Sequence, residues 1–101
     1  MSTYDLIQNA IQHKRIIKAT YDGLPREMCP HTLGHTNGVE QALFFQFAGQ
    51  SSKGLPPGGE WKCMRVAGLS NVTVHDGVWH TGPRHTQEQT CVKQVEVEVA
   101  F

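Results

Sequence analysis

The sequence predicts a mainly β fold of the α+β class, with one short N-terminal helix ahead of a series of short strands. Three features carry that expectation: a single helical apolar stripe at the start, β-branched and aromatic runs punctuated by Gly-containing turns, and strict alternation near the end.

The helix is expected from about Thr3 to His13. Ser2 stands three residues before Asp5, which suits an N-cap and an acidic first turn, and Leu6, Ile7, Ala10 and Ile11 recur at helical spacing. So short a helix is marginal alone in water, so its stripe must dock on the rest of the domain. Arg15 to Tyr21 then reads as a strand ended by Asp22-Gly23, and Arg26 to His31 as its hairpin partner, with Pro30 near the end or at an edge.

Asn37-Gly38 is a strong turn signal, and Val39 to Phe47 after it is the best candidate for a central strand. Alternation puts Leu43, Phe45 and Phe47 on one side and Ala42 and Phe44 on the other, so both faces should be covered. Gly49 to Gly59 is rich in Gly, Ser and Pro and reads as an exposed loop. Trp61 to Val66 and Leu69 to Val74 complete a five-strand set, which suggests a small, bent SH3-like or Sm-like barrel.

Within Cys91 to Phe101, Val95, Val97, Val99 and Phe101 alternate with Glu96 and Glu98, an amphipathic strand expected to pack on a sheet edge or on another subunit. The chain therefore reads as one domain over residues 1–101, with the helix at 1–14, the small barrel at 15–75 and a C-terminal extension at 76–101.

Composition narrows the function classes. With 39% hydrophobic and 18% charged residues the chain lacks the signature of disorder. Nine basic residues balance nine acidic ones, so no global field draws the protein to nucleic acid or an anionic membrane, and any anion site must be local. Apolar runs such as Ala42 to Phe45 fall far short of the roughly 20 residues of a spanning helix. Cys29, Cys63 and Cys91 are odd in number and widely spaced, and no signal segment opens the chain. Three reduced thiols and a cytoplasmic location are the expectation.

The order IIKATYDGLPREMCPHTLG, then GVEQALFFQFAG, then WKCMRVAGL resembles the WYL domain of bacterial regulators over about Ile11 to Val74. The resemblance implies a compact Sm-like β domain that senses a ligand, often a nucleic acid or nucleotide-like anion. The matching positions are Tyr21, Arg26, Pro30 and Leu33, with Lys62 and Arg65 in the late basic strand. The sequence departs from the family where Ala42-Leu43-Phe44 stands for the naming tripeptide and Lys62 for an arginine, and no DNA-binding domain precedes the module. A free-standing relative is expected.

Tyr21, Arg26, Lys62 and Arg65 are accordingly the candidate ligand-binding residues. Guanidinium groups offer planar paired donors to phosphate or carboxylate, Lys a point charge, and Tyr21 or Trp61 a face on which a base can stack. The alternative is that these are solvated side chains or partners of Glu27 and Glu60. In an unbroken strand Lys62 and Arg65 point to opposite faces, so a single site needs a bulge or corner between them.

Cys29, His31 and His35, with His75, His80, His85 and Cys91, are of the right types for zinc, but their spacing matches no recurring structural pattern. Neither a nucleophile elbow, nor a phosphate loop, nor a zinc-protease helix is present. The aromatic residues of the strands read as core, with Trp79 the more exposed tryptophan. The reading is thus a non-enzymatic sensor of an anionic small molecule or nucleic-acid segment, without catalytic residues, metal or cofactor. The runner-up is a structural module that self-associates through the C-terminal strand, and a zinc-binding or thiol enzyme is a minor third.

Overall fold

The computed structural model describes residues 2–52, 54–82 and 91–99. Helix α1 spans Thr3–His13, and the Ser2 hydroxyl accepts the Asp5 amide at 3.1 Å, as the capping pattern predicts. Lys14 ends it in the left-handed region at φ 50°, and the Arg15 amide bonds back to the Ala10 carbonyl at 2.8 Å. Ile7, Ala10 and Ile11 are buried against the sheet.

Strands β1 (Ile16–Tyr21), β2 (Leu24–Thr36) and β3 (Val39–Gly49) form a meander through the turns at Asp22-Gly23 and Asn37-Gly38, where all four residues have positive φ. Strand β4 (Glu60–Arg65) leads through a 3-10 turn at Val66–Gly68 into β5 (Leu69–His75), and β6 is Gln94–Glu98. The sheet is antiparallel in the order β4-β3-β2-β1-β5. The last of the five consecutive strands thus returns to the first, as expected of an SH3-like or Sm-like bent sheet.

Strand β2 is the backbone of this arrangement and runs well past its expected end at His31. Between Pro30 and Thr32 its register against β3 shifts, so the ladder is already broken beside the residue that lacks an amide hydrogen. Beyond that bulge the strand resumes. Its first part pairs with β1 at Leu24 to Met28, and Thr32 to His35 pair with β6. The C-terminal strand therefore packs on a sheet edge of its own chain.

The core joins Ile7 and Ile11 of the helix to Ile17, Met28, Leu33, Phe44, Met64, Leu69 and Val99. Along the valine face of β6 burial rises toward the end: Val95 is exposed, Val97 half-buried, and Val99, just beyond the strand, buried. Phe101 lies outside the described residues. Glu96 and Glu98 are exposed yet engaged, accepting hydrogen bonds from the Tyr4 and Thr32 hydroxyls. Burial and the Glu96 carboxylate raise the Tyr4 phenol above its ordinary range. Among the described residues no helix is long and apolar enough to cross a membrane.

Gly34 marks where β6 reaches β2. A Cβ there would come within 2.0 Å of the Gln94 carbonyl oxygen and 2.9 Å of a Val92 methyl. Gly34→Ala should displace β6 and lower unfolding stability by about 1–3 kcal/mol, the range for overpacking. Urea denaturation checks this, and an unchanged midpoint would mean that β6 does not depend on the glycine.

Candidate functional site

The sequence-derived candidates divide into two groups. Tyr21 and Arg26 are brought together at the β1–β2 hairpin, where the Arg26 guanidinium carbon lies 5.4 Å from the Tyr21 ring centroid. Arg26 Nη2 donates to the Tyr21 carbonyl and Nη1 to Gln46 Oε1, both at 3.3 Å. Arg26 is only 4% exposed, and its Nε–H is buried with no acceptor. Among the described residues no carboxylate bonds this guanidinium.

Gln46 fixes the geometry from β3. It is wholly buried, and its Nε2 donates to the carbonyls of Ala48 at 3.1 Å and Gln50 at 2.9 Å, which leaves Oε1 turned toward Arg26. Sequence reasoning passed over Gln46. The available signal was its alternation with Ala42 and Phe44, which places a polar side chain on the core face of β3.

Lys62 and Arg65 do not join this pair as one site. Strand β4 pairs with β3 without a register shift from Glu60 to Arg65, so the bulge needed to converge them is missing. Lys62 Nζ is held by Glu60 at 2.9 Å and by the Ser51 hydroxyl at 3.0 Å, tying the long loop to β4. Arg65 is exposed, and its backbone amide donates to the Tyr21 hydroxyl at 3.5 Å. Its side chain makes no ion pair among the described residues.

Instead, Arg26 lines a cleft of about 410 Å³ together with Lys18, Thr20, Glu27, Gly49, Gln50 and Asn71. Two irregularities shape it. The β1–β5 register shifts between Lys18 and Thr20, where Asn71 adopts φ 51°. On the other side Gly49, at φ 91°, lets β3 close on β2, since a Cβ would meet Arg26 Cα at 2.7 Å. Lys18 and Glu27, paired with each other at 3.6 Å, line the cleft from the face opposite the neighbouring Ala19 and Arg26, so together they bring it no net charge. Among the described residues two of the five guanidinium N–H groups find acceptors, both neutral oxygens, and an anion would suit the chemistry of the remaining donors.

The opposite face of the sheet is occupied by an aromatic cluster. His31 is 2% exposed, lies edge-on to Trp61 at 4.7 Å and tilted on Trp79 at 5.0 Å, and bonds through Nδ1 to the Cys29 carbonyl at 2.8 Å and through Nε2 to the Thr81 hydroxyl at 3.0 Å. Trp79, expected to be the more exposed tryptophan, is half-buried as Trp61 is, packs against the core and keeps its Nε1–H buried without an acceptor among the described residues. Trp61 packs on Phe45 at 5.2 Å, so its ring is used inside the fold.

The histidine candidates for zinc are scattered. His35 lies against the Tyr4 ring, and His75 Nε2 bonds the Thr73 hydroxyl at 2.7 Å. His85 lies outside the described residues. Among the described residues no group of three or more His, Cys, Asp or Glu is arranged to hold a metal ion.

The expectation of three reduced thiols is corrected: Cys63 and Cys91 form a disulfide, and only Cys29 is free. Burial pushes the Cys29 thiol up to about 11, against the opposing hydrogen bond from the His80 amide. The sign follows from that direction. Folding favours the protonated thiol, so this contribution to stability is intact below the ordinary thiol value of 9.0 and is lost as pH rises toward about 11. Native protein at pH 9 should leave Cys29 unalkylated by iodoacetamide, whereas denatured protein reacts; equal labelling of both would contradict the buried environment. No protein-family model, curated protein or solved structure matches the chain.

Proposed function

We propose that this chain is a non-enzymatic binding module of WYL type that captures a small phosphate-bearing anion, free or within a nucleic-acid segment, at the cleft beside Arg26. The observation that carries the reading is a buried guanidinium that, among the described residues, bonds two neutral oxygens and no carboxylate. A buried charge left without a counter-charge costs several kcal/mol, whereas a bound anion would neutralise it.

In this reading Arg26 supplies planar donors and Tyr21 braces it from below. Lys18 and Glu27 stand at the cleft's edge as an ion pair, so reversing the charge of Lys18 would turn that edge acidic. The role is regulatory sensing, with occupancy of the cleft read out through the β1–β2 hairpin. The C-terminal strand, already paired with β2 in its own chain, gives no particular support to self-association as the primary role.

Calorimetric titration of the native protein with pyrophosphate tests the proposal. Affinity should fall as salt rises, and Lys18→Glu should weaken it about tenfold, equivalent to roughly 1.4 kcal/mol, while Lys62→Ala leaves it unchanged. Absence of binding, or binding indifferent to Lys18→Glu, would overturn the assignment of the cleft.

A further inference from the structure

A second feature stands apart from the Arg26 cleft. The Cys63–Cys91 disulfide spans a sequence separation of 28 and clips the segment leading into β6 onto β4. Cys63 is exposed on β4 opposite Leu43, and Cys91 is half-buried. The bond is therefore open to an attacking thiol from the Cys63 side. Cys29, buried and hydrogen-bonded, takes no part in exchange.

The strand that the clip holds in place buries little of its own surface. Within β6 the residues Gln94, Val95, Glu96 and Glu98 are exposed, and only Val97 is half-buried. The pairing with β2 shifts register between Leu33 and Gly34. Beyond the ladder itself, Glu96 and Glu98 accept from the Tyr4 and Thr32 hydroxyls, and further bonds lie at the margins: Thr36 donates to the Cys91 carbonyl at 2.9 Å, the Lys93 amide donates to the Thr36 hydroxyl at 3.1 Å, and the Val99 amide donates to the His31 carbonyl at 2.8 Å. Strands with so little buried area open at lower free energy than the body of a domain.

We propose that the Cys63–Cys91 pair is a thiol–disulfide exchange site for a dithiol reductant, and that its redox state sets how firmly β6 stays docked on β2. A thiolate of the reductant attacks Cys63 Sγ, the S–S bond breaks, and Cys91 departs as a thiolate that takes up a proton. The reductant's second thiol then attacks its own sulfur in the mixed disulfide and expels Cys63 as a thiolate, which is protonated in turn. Two electrons pass from the dithiol to the protein, leaving two protein thiols and an oxidised reductant. With the clip open, β6 exchanges off β2 and uncovers the backbone edge of Thr32 to His35, a template for strand pairing.

Amide hydrogen exchange on the full chain, oxidised and after dithiothreitol, tests this directly. Exchange at Gln94–Glu98 and at Thr32–His35 should quicken by about tenfold or more on reduction, with the β1–β5 and β3–β4 ladders unchanged. The double substitution Cys63→Ser with Cys91→Ser should show the same pattern without reductant. Unchanged protection would overturn the proposal, and so would uniform loss across the sheet, which marks a global staple. An intact mass showing the two cysteines unlinked after air oxidation would also overturn it.

Discussion

A strand has two edges, and the central strand of this molecule has three neighbours. Strand β2 gives one edge to β3 and divides the other between β1 and β6. That sharing demands a strand of thirteen residues, with breaks in its ladder after Glu27 and Pro30. It also demands that bulk be absent where neighbours close in, which Gly49 and Gly34 provide. The features with chemical interest are distributed along the same strand. Arg26 stands where β1 and β3 flank it, and His31 sits at the second bulge within the aromatic cluster.

Arg26 is a buried cation with no counter-charge bonded to it among the described residues. Two hydrogen bonds at 3.3 Å are long for charge-assisted contacts, and each contributes at most about 1.5–3 kcal/mol. The Tyr21 ring adds about 0.5–2 kcal/mol. Against this stands a desolvation penalty of several kcal/mol for a buried cation, together with an Nε–H that has no acceptor. These terms are of similar size, so the feature left over is the Nε–H without an acceptor among the described residues, which a counter-anion would supply. Gln46 is committed by its own bonds to the Ala48 and Gln50 carbonyls and presents only a neutral oxygen.

Much of the fold was legible because its signals are local. The Ser2 cap, the Asp22-Gly23 and Asn37-Gly38 turns and the double-faced burial of β3 all follow from neighbouring residues. What escaped depends on distant segments meeting. The Cys63–Cys91 bond exists because β4 and the lead-in to β6 meet in space, which spacing along the chain does not reveal. Pro30 suggested a strand end, but a bulge beside it absorbs the missing donor. Lys18 enters the cleft through a bulge opposite Asn71, a register change with no residue signature. The separation of Lys62 from Arg65, by contrast, follows from period-two alternation alone.

If, as proposed, the Arg26 guanidinium takes an anion, its Nε–H should report the binding. The most direct measurement is the NMR resonance of the Arg26 Nε–H, followed as inorganic phosphate is added to the native protein. Binding should give a saturable shift of this proton and slower exchange with solvent, as the donor gains an acceptor. A resonance that stays fixed through saturating phosphate would contradict it.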